Sequence, residues 1–224
     1  MDWQLYYSSY TKTYIERDVR DLMHVGDEVK FINFMTVVAG NTGNLLNCAS
    51  MARDIGVSQP TVERWISILK ASNIIHLLQP YHNNISKRSI KTPKVYFLDT
   101  GLCAYLTKWN TPDVLENGAM AGAFFETFVI AEIIKSYYNA GQVPTLYFYR
   151  DKERNEIDLL ILKDGVLHPV EIKKTADPDK SHIRAFGILE KSTGMKKGPG
   201  GIVCLYDKPV HLHGEDRVIP LSYV

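Results

Sequence analysis

The dipeptide Asp164-Gly165, set between the apolar runs "EIDLLILK" and "VLHPVEI", constrains the fold of this chain more than any other feature. Asp-Gly between hydrophobic runs favours a two-residue hairpin turn, since both turn positions need positive φ. That turn pairs Lys163 with Val166, Leu162 with Leu167 and Leu160 with Pro169. It then sets Asp158 opposite Glu171 and Glu156 opposite Lys173. Opposed residues share a face, with Cβ atoms about 4.5–5.5 Å apart. Facing carboxylates repel, more strongly where the dielectric is low. A hard divalent cation such as Mg²⁺ or Mn²⁺ held by both acids removes the conflict. Lys173 beside it is placed to stabilise a developing negative charge. The alternative is a solvated face carrying ordinary surface charges, with Glu156 and Lys173 as a weak cross-strand pair. Ile157, Leu159 and Ile161 make the other face apolar, so 157–162 reads as a strand covered on both sides, which favours the site.

Across 224 residues, enough for one large domain or two small ones, the formal charge is only +1. No global basic field therefore argues for nucleic acid. Split at Asn110, the first part has 12 Lys/Arg against 9 Asp/Glu and the second 14 against 16, so the first is the better polyanion binder. Cys48, Cys103 and Cys204 are far apart and form no CxxC, which points to reduced core cysteines rather than disulfides or zinc. The start, "MDWQLYYSSYTKTYIERD", lacks the basic-then-apolar order of a signal peptide, and no apolar run reaches membrane-spanning length. The expectation is a cytoplasmic protein with no membrane partner.

Residues 7–40 carry Tyr14, Val19, Leu22, Met23, Phe31, Phe34, Met35 and Val38 at helical spacing, broken at Gly40-Asn-Thr-Gly43. A helix ending at Gly56 and a second one capped by Ser58, with Val62, Trp65, Ile66 and Leu69 as its apolar stripe, have helix-turn-helix spacing. The second helix leaves Gln59, Thr61 and Arg64 outside. Strands at 73–78 and 94–99 flank a polar loop whose cations are Lys87, Arg88, Lys91 and Lys94, the pattern of a winged helix with a basic tip. These seven residues are the candidate nucleic-acid contacts, because cations that displace counterions from phosphates gain affinity. Winged helices also serve as protein-binding modules, and this helix carries only Arg64 and Lys70 against Glu63, so both uses stay open.

A helix over 101–109 and a linker, "NTPDVLENGAMAG", lead to "AFFETFVIAEIIKSYY", apolar on nearly every face. A buried Glu needs a partner. Glu132 is expected to pair, with Lys135 as one choice; Glu126 either pairs likewise or leans to the hairpin as a third acid. The strand "TLYFYR", the hairpin, a helix over 179–191, a central strand "GIVCLY" and a final edge strand "RVIPLSYV" complete an α/β core.

At "YTKTYIERDV", "SKRSIKTPKVYFLDTGL", "FFETFVIAEI" and "EIDLLI…VEIKKT" the chain resembles, over nearly all its length, the C-terminal half of a family of uncharacterised bacterial and archaeal ATP-binding proteins. In that family an AAA-type ATPase module precedes a winged helix and a restriction-endonuclease-like domain of unknown function. The resemblance implies that this chain is a fragment. It holds no G-x-x-x-x-G-K-[ST], so ATP is expected only in the missing N-terminal module. Residues 111–224 also resemble the PD-(D/E)xK nuclease superfamily, whose motif falls on Asp158, Glu171 and Lys173, with Glu126 matching the additional acid of many members. Ile157 stands where the name motif has proline. The resemblance implies that Asp158 and Glu171 bind Mg²⁺ or Mn²⁺, that metal and Lys173 activate water, and that a phosphodiester is cleaved.

The expected fold is α+β: a helical and winged helix-turn-helix domain over 1–110, then an α/β restriction-endonuclease-like domain with a mixed sheet over 111–224. Two functions compete, a metal-dependent nuclease-like domain and a catalytically silent module presenting DNA or a protein to the ATPase. A plain winged-helix regulator leaves the second half idle. Oligomeric state is left open.

Overall fold

Asp2 opens the first helix by accepting the backbone N–H groups of Gln4 (2.8 Å) and Leu5 (3.3 Å), two donors that a helix start otherwise leaves orphaned. In the computed structural model, which describes residues 2–19, 28–82 and 91–224, α1 therefore spans Trp3–Tyr14 and runs on as a π-helical turn, Ile15–Val19. It starts earlier than the apolar spacing alone implies, because the cap and not the stripe sets the first turn. Leu22 and Met23 lie outside the described residues. The chain divides into two units, Met1–Leu77 with Val95–Ala121, and Leu78–Lys94 with Gly122–Val224.

In the first unit α2 (Glu28–Gly40) buries Phe31, Phe34, Met35 and Val38. Helix α3 (Cys48–Ile55) ends on Gly56 at φ 72°, a left-handed cap that costs glycine little. Ser58 caps α4 (Gln59–Ala71), which buries Val62, Trp65, Ile66, Ile68 and Leu69. Trp65 is the pivot of this core, its ring centroid 5.4 Å from Phe31 and 5.3 Å from Phe34. The strands β1 (Ile75–Pro80) and β2 (Lys94–Phe97) are neighbours. Asp99 caps α5 (Thr100–Leu106) and also accepts the Tyr7 hydroxyl at 2.8 Å, tying α1 to α5. The expected linker contains a short helix, α6 (Pro112–Glu116), because Thr111 caps it and Pro112 is tolerated in a first turn.

In the second unit Gln79 and Pro80 pair in parallel with Tyr147 and Phe148 of β3 (Leu146–Arg150). From there the sheet runs β1-β3-β4-β5-β7-β9-β8, with β4 at Glu156–Lys163, β5 at Val166–Ile172, β7 at Gly201–Cys204, β8 at His211–His213 and β9 at Asp216–Pro220. A two-residue β6 (Lys196–Lys197) flanks β5. β3, β4 and β5 are antiparallel, while β5, β7 and β9 are parallel, so the sheet is mixed and the fold is α+β. The 201–206 strand is central, as its apolar run implies. β9 is not the edge: β8 covers it, a strand too short and polar to leave a periodic signal. The long helix α7 spans Ala121–Asn139. The helix expected over 179–191 is only a 3₁₀ turn, Arg184–Ile188, and a short α8, Leu189–Thr193. Asp179 instead closes a local turn by accepting the Ser181 N–H at 2.6 Å, the competing use of an Asp side chain. Ile157, Leu160, Leu167, Phe186, Leu189, Ile202 and Val218 form the core beneath the hairpin. Cys103 and Cys204 are buried and Cys48 is half-buried, all as free thiols.

Candidate functional site

The hairpin has the register its turn demands. Asp164 and Gly165 take φ 50° and 75°, and Lys163 faces Val166, Leu162 faces Leu167, Leu160 faces Pro169 and Leu159 faces Val170. Ladder pairing stops there, one step before the acids. Asp158 continues the link differently: its Oδ2 accepts the Ile172 N–H at 2.9 Å, so the carboxylate bridges to β5. Asp158 and Glu171 are 5% and 6% exposed. Between them stands the ammonium of Lys173, 2.8 Å from Glu171 Oε1 and 3.4 Å from Asp158 Oδ2. The Lys173 side chain is 42% exposed, so the cluster reaches solvent through it.

Burial, then the Asp158 carboxylate, push the Glu171 carboxyl up to about 8, against the pull of Lys173. Lys173 is shifted up: burial opposes its charge, but Asp158 and Glu171 outweigh that cost. One oxygen, Glu171 Oε2, is buried and receives no hydrogen bond from the described residues.

Glu156 departs from expectation. Its partners are Lys94 at 2.6 Å and Arg150 at 3.4 Å, not Lys173. The strand pairing explains this, since Glu156 lies opposite Arg150 on β3 and the β4–β5 ladder has already ended. Glu126 on α7 bonds Lys94 at 3.0 Å. Glu132 pairs with Lys135, one turn along the same helix.

Lys94 corrects the reading of the basic loop. It is 4% exposed, with its ammonium held by Glu126 and Glu156 and 5.6 Å from the Phe148 ring. Burial alone would discharge it, yet Glu126, Asp158 and Glu156 together hold it protonated more firmly than a free lysine. A lysine so enclosed cannot reach a phosphate backbone. Its role as an internal counter-ion was not legible in the sequence; the one signal was that Lys94 heads the apolar run "VYFL". Lys91 is exposed, and Lys87 and Arg88 lie outside the described residues. On α4, Gln59 and Arg64 are exposed and Thr61 is half-buried, its hydroxyl 2.7 Å from that of Ser58. Gln59 donates to Glu63 at 2.8 Å.

Could Asp158 and Glu171 hold a divalent ion? Two converging carboxylates, one with a free buried oxygen, suit a hard cation that keeps most of its waters. Among the described residues no group of three or more His, Cys, Asp or Glu is placed to hold a metal, so any such site rests on these two acids and water. The residues fit on those terms.

Residues 1–113 match a family described as a domain of unknown function (DUF8612), and the chain belongs to that family. Residues 121–224 match a second, also described as a domain of unknown function (DUF4143). The uncharacterized proteins Rv2008c of Mycobacterium tuberculosis and Mb2031c of Mycobacterium bovis are each 30% identical over 182 residues, 81% of this chain. The chain spans 40% of the length of those curated relatives. No solved structure matches. Among the described residues no helix is long and apolar enough to cross a membrane.

Proposed function

We propose that this chain is part of an AAA-type ATPase and that its second unit is a PD-(D/E)xK-like, metal-dependent hydrolase of phosphodiesters. The observation that carries the reading is the pair of buried acids sharing one ammonium, with Glu171 Oε2 left over. Asp158 and Glu171 hold Mg²⁺ or Mn²⁺, which when bound would acidify a coordinated water and neutralise phosphate charge. Lys173, the partly exposed member of the cluster, orients the attacking water or stabilises charge on the phosphate. Glu126 contributes at one remove, through Lys94. The helix–turn–helix of α3 and α4, with the two strands that follow, is read as a winged helix. It offers Gln59, Thr61, Arg64 and Lys91 to DNA, along with Lys87 and Arg88. ATP is bound, in this reading, only by the module outside these residues.

A second reading has its own observation. Lys173 already pairs with both acids without any ion, which suits a catalytically silent module that presents DNA or a protein partner to the ATPase. Cleavage of plasmid, single-stranded DNA and RNA with Mg²⁺ or Mn²⁺ separates them. Cutting that both Asp158→Ala and Glu171→Ala abolish supports the hydrolase. No cutting on any substrate, with DNA binding intact, supports the silent module.

A further inference from the structure

Lys94 raises a question of stoichiometry. Phosphoryl-transfer sites with two metals set the ions about 3.5–4 Å apart between several carboxylates. Here four acidic side chains, Glu126, Glu156, Asp158 and Glu171, lie in one unit, enough oxygen donors for two ions. They are divided between two ammonium groups instead. Lys173 serves Asp158 and Glu171 at 3.4 and 2.8 Å, and Lys94 serves Glu126 and Glu156 at 3.0 and 2.6 Å. The two lysines differ in one decisive respect. Lys173 is 42% exposed on a side chain that can swing aside, whereas the Lys94 side chain is 5% exposed and enclosed by α7, β4 and the Phe148 ring. The first ammonium is open to an ion arriving from solvent and the second is shut away from it.

We infer that Lys94 is a built-in cation standing where a second metal ion would otherwise bind, which withholds Glu126 and Glu156 from coordination and fixes the site at one divalent ion. This inference rests on the reading of Asp158 and Glu171 as a metal site, and it goes further by assigning Lys94 and Glu126 as positioning residues and not ligands. Two features agree with it. No set of three acids or other ligands converges on one point among the described residues. Glu156 is further committed to Arg150 at 3.4 Å.

The test is Mn²⁺ binding to the intact chain, counted by electron paramagnetic resonance of the free ion, for the native protein, Glu126→Gln and Lys94→Gln. The expected result is one Mn²⁺ for the native chain, one for Glu126→Gln with affinity within about threefold, and two for Lys94→Gln. If the native chain binds none, the metal-site reading itself fails. If it binds one but Glu126→Gln weakens that ion tenfold or more, Glu126 is a ligand and the inference falls. Two ions on the native chain, or a folded Lys94→Gln that still binds one, overturns it equally. Should Lys94→Gln not fold, the Glu126→Gln arm decides, since an amide keeps the shape of a group that stays hydrogen-bonded to Lys94.

Discussion

Glu171→Gln probes the electrostatic conflict at the hairpin directly. The carboxyl of Glu171 keeps its proton up to about pH 8 in the native state, because burial and the Asp158 carboxylate penalise the anion; unfolded, it titrates near 4.5. Between those values the native state binds more protons than the unfolded state. Stability from this group is therefore fully present below about pH 4.5 and is lost as pH rises to about 8. A rise of that size sets a ceiling of about 5 kcal/mol, at roughly 1.36 kcal/mol for each tenfold change in proton affinity. Lys173 can reorient in response, so a loss of about 1–3 kcal/mol is the working figure. Glutamine is neutral at every pH and nearly the same shape. The variant should match the native chain near pH 5 and exceed its stability by that amount at pH 9. Urea unfolding suits the comparison if followed by hydrogen exchange of β4 and β5 amides, because Trp3, Trp65 and Trp109 all lie in the other unit. Subtracting variant from native at each pH removes the other titrating groups. A difference that stays flat from pH 5 to 9, or that slopes the other way, refutes the claim that Glu171 is held neutral. Added Mg²⁺ should recover much of the native chain's loss at pH 9 and do less for the variant, since an ion that binds only the folded state stabilises it.

Gly165→Val puts a β-branched residue at φ 75° and should cost the second unit about 1–2 kcal/mol, read as a lower urea midpoint. Trp65→Ala should cost the first unit about 3–5 kcal/mol, because the ring is fully buried between Phe31 and Phe34; unchanged near-ultraviolet circular dichroism and midpoint would contradict that packing. If the proposed winged helix binds DNA, neutralising Lys87, Arg88 and Lys91 together should weaken that binding and flatten its salt dependence, by roughly one in slope for each phosphate that a cation no longer neutralises. Salt titrations that overlay those of the native chain would take the loop out of the DNA-binding surface.

Local sequence and distant packing contributed to this site in different measure. The Asp164-Gly165 turn is a matter of two adjacent backbone conformations, and once made it sets the register of the hairpin from Lys163 and Val166 as far as Leu159 and Val170. The caps Ser58 and Gly56 work the same way, each acting within one helical turn. Expectations failed where a residue had two local uses or where an element was short. Asp179 closed a turn instead of starting a long helix, and β8 was too brief to show a period.

The helices α3 and α4 with the turn between them, the hairpin register and the meeting of Asp158, Glu171 and Lys173 were legible in the residue order alone, because hydrogen-bond ladders and turn angles act between near neighbours. The place of Lys94 inside, between Glu126 and Glu156, came from packing. Those partners belong to a helix and a strand remote in sequence, and only their approach in space determines which charge is shut away from water. The periodicity of a loop lysine says how exposed it would be alone, not which buried acids will claim it.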